Sequence, residues 1–209
     1  MITSHNTAYL VQTKSKINLK IMEGELYKKV EQFVIDSFTN TGKTQGIKHF
    51  LRTTYWLKEL EPQADEAMQI AAVSHDIERA FRQPDILEIQ TKVGFTDLAF
   101  LRLHQERGAE IIGSFLKQQN VSDQVIDKVK MLVSRHEEGG NKEQNILKDA
   151  DSISFFENNI EHFLTKIAAE KGKDKTQAKF DWMFNRITSN KAKQIAQQWY
   201  NEAIKQLNS

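Results

Sequence analysis

The chain has 209 residues, of which 39% are hydrophobic and 27% are charged, a balance typical of a soluble globular protein. Its 29 Lys and Arg residues offset 28 Asp and Glu residues, and the formal net charge of +1 excludes a general basic field that would attract nucleic acid. Because there is no cysteine, disulfides, thiolate zinc sites and cysteine nucleophiles are excluded. No apolar run approaches the roughly 20 residues that cross a bilayer, and the polar first residues lack a secretory signal, so we expect a cytoplasmic protein without a membrane partner.

The spacing of apolar residues predicts helices along the whole chain. Only two prolines and nine glycines interrupt it, and apolar residues recur at steps of three and four, as at Ala192, Ile195 and Trp199. No stretch shows the sustained strict alternation that would indicate a sheet. In chain order, helices are expected near 22–39, 46–60, 64–80, 96–118, 122–137, 145–171, 175–188 and 190–207. We therefore predict an all-α fold, a helical bundle in which residues 1–209 form a single domain.

Five of these predicted helices carry the residues that indicate chemistry. In chain order they are His49, His75 with Asp76, His104, His136 and Asp151. Four of the six histidines of the chain belong to this set. Each residue of the set lies in apolar helical surroundings, which allow its side chain to point inward.

The doublet of His75 and Asp76 lies in a dense apolar run that predicts a helix buried on most sides. Burying both groups is costly unless they are satisfied, and a divalent ion would satisfy them, although a buried His–Asp hydrogen bond without metal is the alternative. A helix bundle can bring His49 and Asp151 to the same point, which favours the metal. Two imidazoles and two carboxylates suit Mn, Fe, Co, Ni, Zn or Mg.

This order of motifs resembles the HD superfamily of metal-dependent phosphohydrolases, in which a first His precedes a His-Asp doublet and a late Asp follows an alanine. The resemblance covers 46–157, and helices in 158–209 are expected to pack on this motif core. It implies four metal ligands, namely His49, His75, Asp76 and Asp151. Asp149 is then expected to act as a cap or to support a ligand.

His104 and His136 resemble the additional histidines of binuclear members of that superfamily. Either they hold a second ion, so that one or two divalent ions bind, or they contact the substrate phosphate. Other features of the superfamily are missing. Glu138 to Lys142 replace the DGxGYP segment of cyclic-di-GMP phosphodiesterases, and Arg79 with Ala80 replaces the Glu-Asp pair of alarmone hydrolases.

The resemblance implies hydrolysis of a phosphoester by a metal-activated water, and the expected substrate is a small-molecule phosphoester such as a nucleotide. Asp76 is the expected catalytic ligand. Glu78 is the nearest candidate base, although a supporting or surface carboxylate is the alternative reading. Arg79 and Arg135 are candidate phosphate-binding residues, while the Lys-rich stretch from Lys171 to Lys179 is interpreted as a solvated start of a helix.

Two other functions fit the same residues. A di-iron oxygenase would use all six candidate ligands, and metal identity with oxygen consumption would identify it. A non-catalytic sensor or interaction domain stabilised by metal would lack an open pocket at the metal. The sequence indicates neither a nucleic-acid patch nor an oligomeric state.

Overall fold

The computed structural model describes residues 24–83 and 96–209, together with 86, 89 and 94 between them. Its helices are α1 Glu25–Asn40, α2 Ile47–Leu60, α3 Glu66–Ser74, α4 Glu78–Phe81, α5 Leu98–Gln118, α6 Asp123–Val133, α7 Lys142–Asn158, α8 Ile160–His162, α9 Ala168–Lys171, α10 Lys173–Asn185 and α11 Asn190–Asn208. A 3₁₀ turn, Thr44–Gly46, precedes α2, and a π-helical segment, Phe163–Ile167, joins α8 to α9. No strand occurs among the described residues, which confirms the predicted all-α fold. None of the described helices is both long and apolar enough to span a membrane.

The larger hydrophobic core lies among α1, α2, α3, α5 and α6. Each of these helices contributes a fully buried aliphatic side chain, respectively Val30, Leu57, Ile70, Ile112 and Leu132. Helix α7 packs along α2 and closes this core with Leu147 and Ala150. Burial of each large aliphatic side chain contributes roughly 1.5–3 kcal/mol, so this core holds the helices on which the site is built.

A second core forms where the C-terminal helices α10 and α11 pack on the far half of α7. Its buried side chains include Ile153 and Phe156 on α7 and Phe180 on α10. Trp56 and Leu60 on α2 contact both cores, so the C-terminal helices pack on the motif core. That the whole of 1–209 is one domain stays a prediction, and residues 1–23, including the first two residues of the predicted helix 22–39, lie outside the described residues.

The prediction of one continuous helix over 64–80 is wrong, because the chain tightens into a turn at the doublet. Helix α3 ends at Ser74, and the N–H of Ile77 then bonds the carbonyl of Ser74 in an i to i+3 step. The cause is a side chain. His75 Nδ1 lies 2.8 Å from the carbonyl oxygen of Ala72, which takes up the acceptor that the helix would otherwise use.

The predicted helix 122–137 also ends early, at Val133. The ring of His136 repeats the same contact, with Nδ1 2.8 Å from the carbonyl oxygen of Val133. Helix α7 then starts from a capping box, in which Asn141 and Gln144 each accept the backbone N–H of the other. The predicted helix 145–171 is interrupted after Asn158, where the shorter α8, the π segment and α9 follow.

Candidate metal centre

His75 and His136 each direct one ring nitrogen, Nε2, into the protein interior. Because Nδ1 of each ring donates to the backbone carbonyl three residues earlier, the neutral ring carries its proton on Nδ1 and its lone pair on Nε2. Both Nε2 atoms are buried and have no hydrogen-bond partner in the described part of the chain. Each of these nitrogens is therefore available as a metal ligand.

His49 and His104 are oriented by side chains instead. The hydroxyl of Ser154 donates to the carbonyl oxygen of His49 at 2.8 Å, so its oxygen accepts from His49 Nδ1 at 2.9 Å. The carboxylate of Glu78 accepts from His104 Nδ1 at 2.7 Å. Both rings thus also turn Nε2 away from their supporting groups, in the manner that second-layer partners fix metal-bound histidines.

Asp151 brings the two ends of the motif together. Its Oδ1 lies 3.1 Å from His49 Nε2 and 3.4 Å from His75 Nε2. Asp149, in contrast, accepts the N–H groups of Thr188 and Ser189 at 2.7 and 2.8 Å, ahead of α11. The structure therefore places Asp151 in the cluster and Asp149 at the start of a helix.

Asp76 faces three imidazoles. Its Oδ1 lies 2.9 Å from His104 Nε2 and 3.8 Å from His136 Nε2, while its Oδ2 lies 3.7 Å from His75 Nε2. Among the described residues, potential donor atoms form two adjoining groups, each with all atoms within 4.8 Å of one another. One group is His49, His75 and Asp76, and the other is Asp76, His104, His136 and Glu137. Asp76 is the member that both groups share.

These donors fit a divalent cation. A lone pair on Nε2 that faces a carboxylate oxygen is repulsive unless a proton or a cation lies between them. The set consists of imidazole and carboxylate groups, all buried, and the residues that the structure describes leave the Nε2 atoms of His75 and His136 without a hydrogen-bond partner. Borderline ions such as Mn, Fe, Co, Ni and Zn prefer such mixed nitrogen and oxygen ligands.

The cluster opens onto a cavity of about 50 Å³. Two cationic side chains, Arg79 and Lys179, reach its wall beside the candidate ligands. The rest of the wall is mostly apolar and includes Phe100, Phe155 and Phe163. These 50 Å³ are the space open to the centres of water molecules within about 530 Å³ of empty volume, so the cavity has room for a phosphoryl group with a small organic part.

A comparison with known protein families assigns the chain. The family model described as Domain of unknown function (DUF4202) matches residues 35–207. The chain belongs to the DUF4202 family. None of the curated proteins matches the sequence of this DUF4202 protein.

The fold of this DUF4202 protein has a solved counterpart. The crystal structure of a predicted HD superfamily hydrolase from an uncultured Thermotogales bacterium is similar, with a TM-score of 0.52. The likeness covers 85% of this chain and 87% of that chain at 19% sequence identity. It confirms the HD-type fold that the sequence motifs implied.

In the DUF4202 site, burial and neighbouring charges shift the pKa values of the candidate ligands. Burial lowers the pKa of His75, but the carboxylates of Asp76 and Asp151 raise it to about 9. Burial raises the pKa of Asp76, yet Arg79 and His75 hold it well below its usual range. Burial lowers the pKa of His136 to about 4, so its imidazole is neutral at physiological pH. The carboxylates are thus ionised and ready to bind a cation.

Other predicted site residues lie around the cluster. The Nε of Arg79 lies 3.0 Å from Asp76 Oδ1, at the cavity. Glu78 is buried between His104 and Arg82, and hydrogen bonds from these two residues lower its pKa to about 2 against the effect of burial. Arg135 is half-exposed and pairs with Glu138 at 3.2 Å, outside the cavity wall.

Three residues of the site were not predicted from the sequence. Glu137 belongs to the second donor group, and Arg186, which follows α10, pairs with both Glu137 and Asp151. Lys179 is buried at the cavity, so the interpretation of its stretch as wholly solvated is wrong. One signal was available: His136 with Glu137 repeats the His-acid order of the first doublet. Nothing local in the sequence marks Arg186 or Lys179.

Proposed function

We propose that this DUF4202 protein is a metal-dependent phosphohydrolase that acts on a small phosphoester. The observation that carries the proposal is the pair of buried Nε2 atoms of His75 and His136, which have no hydrogen-bond partner among the described residues and face the shared carboxylate of Asp76. The HD-type fold and the donor set support a metal-dependent hydrolase. The phosphoester substrate is inferred from the charges at the cavity.

In this proposal the first ion is held by His49, His75, Asp76 and Asp151. A second ion, where it binds, is held by Asp76, His104, His136 and Glu137. A bound divalent ion would polarise a phosphoryl oxygen and lower the pKa of a water molecule to near neutrality.

The chain's own residues prepare the site for that chemistry. Ser154 and Glu78 fix the rings of His49 and His104, so little reorientation is needed when a cation binds. The guanidinium of Arg79 lies at the cavity, where it can donate to a phosphoryl oxygen. The apolar wall limits the access of bulk water, which strengthens each of these interactions.

Glu78 orients His104 in this proposal and is not the general base. Both of its oxygens contact Arg82, and one also accepts from His104. A carboxylate with a pKa of about 2 is a weak base at neutral pH. Asp76 is the proposed catalytic carboxylate because it is the ligand that both donor groups share.

The test is a screen of phosphomonoesters, phosphodiesters and nucleotides with protein stripped of metal and reloaded with Mn, Fe, Co or Mg. We expect phosphate release that requires metal and that disappears in Asp76→Asn. The matched control is Asp127→Asn, an exposed aspartate on α6 that should leave turnover unchanged. Oxygen consumption without phosphate release would favour the di-iron oxygenase, and retained metal without turnover would favour the sensor domain.

A further inference from the structure

Lys179 is a buried cation at the cavity, and the described residues offer its donors no hydrogen-bond acceptor. It lies on α10 with 7% of its surface exposed and forms part of the cavity wall. Its Nζ lies 4.3 Å from the centroid of the Trp182 ring and 5.8 Å from that of Phe155. In the described part of the chain, no hydrogen bond or ion pair within contact distance joins this Nζ to another residue.

Such an arrangement is costly without a ligand. The aromatic rings of Trp182 and Phe155 attract the ammonium, but they cannot accept hydrogen bonds from all three of its N–H donors. The nearest negative groups, Glu137 and Asp151, already form ion pairs with Arg186. Burial lowers the pKa of Lys179 to about 8, so the charged form still predominates at neutral pH. An anion that enters the cavity would satisfy it.

We propose that Lys179 binds the phosphoryl group of the substrate, and that this substrate is a phosphomonoester with a small apolar organic part. The inference rests on the proposed function and narrows its substrate class. Nζ donates to a phosphoryl oxygen from its place in the cavity wall, while Arg79 reaches the same wall beside Asp76. The two cations thus offset the charge of a dianionic group.

The organic part is inferred from the remaining wall. Phe100, Leu101, Phe155, Phe163 and Met183 line it, and Asn159 is the polar side chain among the described wall residues that is not charged or a candidate ligand. The hydroxyls of a ribose and the edge of a base need hydrogen-bond partners when they are buried. This wall suits an alkyl or aryl group better than a nucleoside, which narrows the class of substrate expected from the sequence.

The experiment compares Lys179→Met, Lys179→Arg and Lys175→Gln with the wild type. Lys175 lies one turn earlier on α10 and is exposed, so its variant is the matched control. The probe is inorganic phosphate, and its binding to the Mn-loaded protein is measured by calorimetry. We expect Lys179→Met to weaken phosphate binding by about tenfold to a hundredfold, as for loss of a charge-assisted hydrogen bond. Lys179→Arg should retain part of the affinity, and Lys175→Gln all of it.

Thermal unfolding serves as the folding check. Met fits among the aromatic rings, so Lys179→Met should unfold at the wild-type temperature or above it. Phosphate binding by a folded Lys179→Met protein that equals the wild type would overturn the role of Lys179. If Met disturbs the fold, the wild-type protein is treated with an amine-acylating reagent with and without phosphate, and acylation of Lys179 is measured by mass spectrometry. Phosphate should protect the Lys179 amine, and equal acylation in both samples would overturn the role of Lys179.

Kinetics test the substrate class separately. With phenyl phosphate, Lys179→Met should raise KM more than it lowers kcat, and wild type should prefer phenyl phosphate to adenosine monophosphate in kcat/KM. Preference for the nucleotide would overturn the apolar part of the inference. If no phosphoester is hydrolysed but phosphate binding still depends on Lys179, the proposed function fails while the anion site stands.

Discussion

His75 and His136 are placed in the same way at the ends of different helices. Each Nδ1 lies 2.8 Å from the carbonyl oxygen three residues earlier, and the two ring centroids are 5.1 Å apart at an interplanar angle of 68°. Their Nε2 atoms lie 3.7 and 3.8 Å from different oxygens of Asp76. The carboxylate of Asp76 is therefore positioned between two imidazoles, as a ligand shared by two ions would be.

The sharing of Asp76 leads to a prediction about stoichiometry. Asp76→Asn should lower the metal content of both donor groups, because each loses a charged ligand. Combined His104→Ala and His136→Ala substitutions should leave one ion bound, since the group of His49, His75 and Asp76 stays intact. Elemental analysis of the dialysed proteins measures both results. Equal metal content in all three proteins would show that the ion binds elsewhere.

The contact between Glu78 and His104 predicts that substitution of Glu78 weakens Mn binding but changes kcat little once the metal is saturating. Glu78→Ala should weaken Mn binding at the second donor group by about 10–100-fold, as for loss of a group that orients a ligand. Glu78→Gln keeps an acceptor oxygen and should lose less. At saturating metal both variants should regain most of kcat. A large fall in kcat with unchanged Mn affinity would instead make Glu78 the general base.

The raised pKa of His75 predicts that metal binding depends on pH. Asp76 and Asp151 raise this pKa to about 9, against the effect of burial, so Nε2 is protonated below that pH when no cation is present. A cation must displace the proton, so affinity should rise with pH towards about 9, by up to about tenfold per pH unit. Calorimetry in buffers of different ionisation enthalpy should reveal proton release. Identical heats in both buffers would contradict this coupling.

The ion pairs of Arg186 predict a stability change that metal can offset. Arg186→Gln leaves Asp151 and Glu137 buried without their cationic partner, which should lower the free energy of unfolding by about 3–5 kcal/mol without metal. Excess Mn should recover part of the loss, because ions bind the same carboxylates in the folded state. Urea unfolding without Mn measures the loss of unfolding free energy, and urea unfolding with Mn measures its recovery. Arg102→Gln, in an exposed pair with Glu138, is the control and should change stability by less than about 0.5 kcal/mol. A loss of the same size with and without Mn would argue against a metal at Asp151.

The sequence predicted the helices and the residues that the structure brings together, for reasons that differ from residue to residue. Apolar periodicity reports which face of a helix is buried, so it identified the helices that carry His49 and Asp151. It does not report hydrogen bonds from side chains to carbonyls, and so it missed the turns at His75 and His136. Arg186 and Lys179 reach the site only through the packing of α10 on α7, a contact between distant segments that no local pattern contains.

The most direct test of a metal centre is the metal content of the purified protein together with its unfolding temperature before and after chelation. The account predicts one or two equivalents of a divalent transition metal per chain, a lower unfolding temperature after removal, and recovery when Mn or Fe is added back. A protein that retains no divalent ion after loading, and whose unfolding temperature does not respond to any of the candidate metals, would contradict the account.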